Sequence, residues 1–140
     1  MKKFILITLA MVSGLFAVDG EKVFENNCKS CHFGMISVSE FKSEFKAGNV
    51  KAPPMIEVAN RLKQTITINA KNDNGEEIHR FTVIAFIKEY LKHPSWDYFA
   101  CDSAAINRFE VMPAQIQLSE EESQAVAEWI YDSFEDKKFK

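Results

Sequence analysis

The chain has 140 residues, enough for a single domain, with 46% hydrophobic residues and a formal charge of −3 at pH 7. That acidic balance runs against a nucleic-acid partner, which requires a basic face. No internal repeat and no low-complexity tract interrupts the sequence.

Residues 1–17 read as a secretory signal peptide, leaving a domain over 18–140. Lys2 and Lys3 precede Phe4–Val12, which is apolar apart from Thr8 and too short for a comfortable membrane span. Ala17 offers a small residue for cleavage, while Leu15 is larger than the ideal residue two places earlier. Cleavage is the expectation, and retention as an anchor is the alternative. Cleavage leaves 15 Lys and Arg against 20 Asp and Glu, a mature charge of −5, in a chain with no other apolar span.

Asp19 predicts the cap of a short helix through Gly20–Asn27. Ser37 with Glu40 has capping-box spacing, and Phe41 and Phe45 share a face of the helix that follows, which should end near Gly48. Ala52-Pro53-Pro54 is a stiff turn, after which Met55, Val58, Ala59 and Leu62 repeat at helical spacing. Thr65–Asn69 alternates like a strand and Asn74-Gly75 is a turn signal, so a small hairpin or loop insertion is expected at about 65–80. From about Ile78 to Lys92 the chain predicts a helix with a broad apolar face of Phe81, Ile84, Ala85, Ile87 and Leu91, stopped by Pro94. A short helix through Trp96–Cys101 and another through Asn107 follow. Ser119 and Glu122 form a second capping box, opening a last helix whose buried stripe is Val126, Trp129, Ile130 and Phe134.

Chemistry enters at Cys28-Lys29-Ser30-Cys31-His32, a C-x-x-C-H sequence, the attachment signal for c-type haem. Two thiols two residues apart on a tight turn can bond the two vinyl groups of one haem. The histidine that follows is then held under the iron. A redox dithiol would come with a βαβ context, and a zinc site with a second Cys or His pair at suitable spacing; neither is present. The thioethers also account for two of three cysteines in an exported chain. Cys101 is left over; a buried free thiol is its expected state, with an interchain disulfide as the alternative.

A sixth iron ligand is sought among His79, His93, Met35, Met55 and Met112. Met35 lies one turn from His32, on the wrong side of a haem. His79 and His93 bracket a helix as solvated caps, and Met55 falls on an apolar stripe. Met112 sits in a loop before Pro113, ahead of the last helix. It is the expected ligand, with Met55 as the alternative.

These residues resemble the class I monohaem cytochromes c of bacteria over most of the mature chain. Gly20 and Phe24 precede the haem motif as G-x-x-x-[FY] does in that family. Ala52-Pro53-Pro54 is similar to its proline turn, whose carbonyl holds the proximal histidine. Arg108-Phe109-Glu110-Val111-Met112-Pro113 is similar to its axial Met-Pro loop. Val126 and Trp129 match the helix that crosses the N-terminal one. The 65–80 segment and Cys101 depart from the pattern.

The resemblance implies an all-α cytochrome c fold wrapped around one covalent haem c, bound through Cys28 and Cys31 and ligated by His32 and Met112. With both axial positions filled, it implies a one-electron carrier rather than an enzyme: a periplasmic monomer meeting redox partner proteins as donor and acceptor. Arg61 and Lys63 are candidates for a haem propionate. The alternatives are a haem enzyme or gas sensor with an open or labile sixth position, and the cytochrome subunit of a larger periplasmic oxidoreductase.

Overall fold

The computed structural model describes residues 17–68, 74–97, 99–100 and 103–140. The expected signal peptide (residues 1–16 of it) and Cys101 therefore lie outside the described residues. Those residues form six helices and no strand, an all-α fold: α1 Gly20–Asn27, α2 Val38–Lys46, α3 Met55–Thr65, α4 Gly75–Lys92, α5 Ser103–Ile106 and α6 Glu120–Asp132. No helix among them is long and apolar enough to cross a membrane.

Local side-chain chemistry sets the helix starts. Asp19 accepts hydrogen bonds from the Glu21 and Lys22 amides at the head of α1. Ser37 with Glu40 and Ser119 with Glu122 close reciprocal capping boxes on α2 and α6, satisfying amides that a first turn leaves without partners. Ser119→Ala is expected to cost about 1 kcal/mol, because the Glu122 amide loses its acceptor, while the backbone N–H of residue 119 still donates to the Glu122 carboxylate. Chemical denaturation should show this as a lower midpoint with an unchanged slope.

The centre of the fold is α6, which packs against α1, α4 and α3. Val126 and Ala127 are fully buried, and Ile130 and Phe134 nearly so. Phe24 of α1 stacks on Trp129 at 4.7 Å between ring centroids. Gly20 stands where the two helices cross, its backbone directly against Ala125 and Trp129. From α4, Val83, Ile84, Ile87 and Leu91 complete the core. On the far end of α6, Glu120 pairs with Lys88 and Lys92 of α4, which hold its carboxyl down at about 2.

Three expectations are corrected. Thr65 is the last residue of α3 and Ile66–Ile68 belong to no strand, so the described part of the 65–80 segment is not a hairpin. Helix α4 begins at Gly75 rather than near Ile78. Its buried side excludes Phe81, which is 73% exposed, and Ala85 is exposed as well. Trp96, Asp97, Phe99 and Ala100 are not helical, whereas the second short helix, expected through Asn107, is present as α5.

Candidate haem site

The end of α1 shapes the C-x-x-C-H turn. The Cys28 amide donates to the Phe24 carbonyl at 2.8 Å, closing the last turn of the helix. The Cys31 and His32 amides then both donate to the Cys28 carbonyl, at 3.1 and 2.9 Å. One carbonyl thus gathers the whole motif into a single tight turn. The Cys28 thiol is buried in the core, while Cys31 is half-buried, and neither forms a disulfide. Burial, with the neighbouring Cys31, pushes the Cys28 thiol up to about 11. A redox dithiol requires the opposite shift, toward the thiolate. Among the described residues no group of three or more His, Cys, Asp or Glu is arranged to hold a bare metal ion.

His32 is oriented from α3. Its Nδ1–H donates to the Pro53 carbonyl at 2.7 Å, which leaves the Nε2 lone pair facing away from that contact. Burial holds the imidazole below its ordinary pKa, against the opposing pull of the Pro53 hydrogen bond, so the neutral ring is favoured. The Pro53 carbonyl is itself held by the way α3 starts. Pro54 occupies the cap position and has no side chain able to accept a hydrogen bond. The orphan amides of Met55 and Ile56 donate instead to the Phe33 and Gly34 carbonyls, at 2.6 and 3.2 Å. The two residues after His32 therefore cap the helix that follows the proline turn, and that turn in return holds His32.

Pro53 also walls an apolar cavity between α3, α4 and the loop ahead of α6. Met55, Leu62, Phe86, Tyr90, Trp96 and Met112 are among the residues that line it. Met112 is half-buried and packs against the core. Its loop is tied down on both sides. The Phe109 amide donates to Ala105 at 2.9 Å, and the Gln115 amide donates to the Leu91 carbonyl of α4 at 2.7 Å. The cavity measures about 110 Å³, below the roughly 300–1,000 Å³ of ordinary small-molecule sites.

Of the other candidate ligands, His79, His93 and Met35 lie elsewhere. His79 bridges the Ile66 carbonyl at 2.8 Å and the Tyr131 hydroxyl at 3.1 Å, which uses both ring nitrogens. His93 caps α4 at the surface, with Nδ1 2.8 Å from Glu89. Met35 is 59% exposed beside Phe24 and Trp129, away from Met112. Met55, 5% exposed, does line the cavity with Met112. Lys63 lies over the Tyr131 ring at 4.2 Å, apart from Arg61, so the two are not a joint site. The sequence reading missed Phe86 and Tyr90 as cavity walls. Their i, i+4 spacing was the available signal, and it was masked because α4 is apolar on several faces.

The donor set fits a covalent haem: two thiols and an imidazole in one turn, with the imidazole tautomer fixed so that Nε2 can bind iron, and a thioether within the adjoining apolar cavity. No family model matches the chain, and no solved structure matches it. A protein of Aquifex aeolicus (strain VF5), described as an uncharacterized protein, is 32% identical over 145 aligned positions that cover 94% of this chain and 88% of the relative. The chain belongs to the same family as that Aquifex aeolicus protein.

Proposed function

We propose that this protein is an exported single-haem c-type cytochrome that carries one electron at a time, with a cytochrome c fold closed around the haem. The observation that carries this reading is the 2.7 Å hydrogen bond from His32 to Pro53, made by the residue that ends the C-x-x-C-H turn. It gives the imidazole the tautomer and orientation an iron ligand needs, by the second-coordination support common to metal-bound histidines. Bound here, haem c would supply the Fe(III)/Fe(II) couple.

The chain's own residues do the rest. Cys28 and Cys31 would hold the group as thioethers. His32 would supply an imidazole nitrogen to the iron and Met112 a thioether. A thioether favours Fe(II) and raises the potential relative to a second histidine. The apolar lining from Leu62, Phe86 and Trp96 excludes water and disfavours the additional charge of Fe(III) in the same direction. With His32 and Met112 both committed to the iron, the protein would exchange electrons with donor and acceptor proteins through brief contacts.

The direct test is the mass of the mature protein purified from the periplasm of a host that matures c-type cytochromes. One haem should remain on the polypeptide after acid–acetone extraction and stain on a denaturing gel. A haem that extracts freely, or a mass equal to the bare chain, refutes the proposal.

A further inference from the structure

We propose that α4 pairs antiparallel with α4 of a second copy of this chain, forming a two-fold homodimer on the face that carries Phe81. The inference makes no use of the haem reading, so either can fail alone.

Core packing uses only one side of α4. Val83, Ile84, Ile87 and Leu91 are buried, yet the helix is apolar beyond them. Phe81 is 73% exposed, Ile78 is 42% exposed, and Ala85, one turn after Phe81, is exposed as well. A helix that is apolar on more than one side is built for more than one packing partner. Phe81, Ile84 and Ala85 are the apolar part of a groove of about 460 Å³ between α4 and α6. Adjoining exposed apolar groups mark a contact surface, as isolated ones do not.

Charge selects the occupant. Glu77 stands at one end of the groove, in the first turn of α4, where Arg80 is already paired with Asp132. Lys88 and Lys92 stand at the other end, two lysines sharing the one Glu120 carboxylate. About 22 Å of helix separates Glu77 from Lys92. A second α4 laid antiparallel, with the two-fold axis between Ile84 and Ala85, brings Glu77 opposite the partner's Lys92 and Phe81 opposite the partner's Lys88. Symmetry makes each contact twice. Phe81 then covers the aliphatic stem of the partner's Lys88, whose ammonium stays on Glu120. Ala85 has the smallest side chain on this face and lies at the crossing, where it lets the two helices approach. A parallel pairing would set Glu77 on Glu77 and Lys92 on Lys92, and like charge excludes it. One helix pair buries less than the roughly 1,600 Å² of a standard interface, so the dimer forms and dissociates with concentration.

Sedimentation velocity of the purified protein over a wide concentration range is the experiment. The wild type should pass from monomer to dimer as concentration rises. Phe81→Glu should stay monomeric throughout, with unchanged helical circular dichroism and Tm, because the replaced side chain lies outside the core. Glu77→Lys should also lose the dimer. Adding Lys92→Glu to it should restore the dimer, because the exchanged charges face each other again while Lys88 still holds Glu120. A wild type that is monomeric at every concentration, as the resemblance implies, overturns the proposal. So does a Phe81→Glu variant that dimerises like the wild type. A charge-exchanged double variant that stays monomeric overturns the antiparallel register.

Discussion

Gly20→Val is expected to destabilise the protein by about 1–3 kcal/mol through overpacking, lowering Tm by roughly 2–8 °C for each kcal/mol. A Cβ at position 20 would lie 2.1 Å from the Ala125 carbonyl oxygen and 2.7 Å from both the Ala125 carbonyl carbon and the Trp129 Cβ. Two of those three atoms are backbone, so no rotamer change relieves the clash. Helix α6 has little room to retreat, because Val126 and Ala127 are fully buried and the Ser119–Glu122 box fixes its start. Helix α1 would have to move instead. That would open the Phe24–Trp129 stack and disturb the Cys28 turn at its end. Gly34→Ala is the matched control, since its Cβ would meet only Phe24 Cε1, at an ordinary 3.8 Å. Equal melting temperatures for Gly20→Val and the wild type would show that the two helices do not cross at this residue.

That crossing was legible through the resemblance: Gly20 and Phe24 ahead of the C-x-x-C-H turn, with Val126 and Trp129 on the last helix, follow the pattern of the class I cytochromes c. Ser37–Glu40 and Ser119–Glu122 were legible from local chemistry alone, because a capping box is complete within four residues. What failed depended on the tertiary environment. Phe81 reads as a core residue by hydrophobicity, yet α4 is apolar on several faces and only the position of α6 decides which side is buried. The Thr65–Asn69 alternation lost its strand meaning because α3 runs on through Thr65. At the candidate site, the motif and Pro53 were visible as sequence features. The resemblance also gave their link through a carbonyl of the proline turn, which the His32–Pro53 bond matches, whereas the return ties from Met55 and Ile56 to the Phe33 and Gly34 carbonyls were not legible, because a backbone acceptor leaves no mark on residue identity.

Met112→Ala is expected to open the sixth iron position while leaving the chain folded. Its thioether is half-buried in a loop, held by the Phe109–Ala105 and Gln115–Leu91 backbone bonds, neither of which uses the methionine side chain. The variant should therefore show high-spin iron or a bound water, a lower reduction potential and ready binding of carbon monoxide. Met112→His should remain low-spin with a lower potential, since imidazole stabilises Fe(III) better than a thioether does. Met55 lines the same cavity but stands differently: it is 5% exposed, opens α3 and adjoins the Pro53 carbonyl that orients His32. Met55→Ala should cost about 2–5 kcal/mol of stability and change the spectrum little. The two substitutions thus separate in opposite directions, one spectral and one thermodynamic. Loss of the native spectrum in Met55→Ala with its retention in Met112→Ala would transfer the ligand to Met55. A wild-type protein that is already high-spin and takes up carbon monoxide would replace the electron carrier with a haem enzyme or gas sensor.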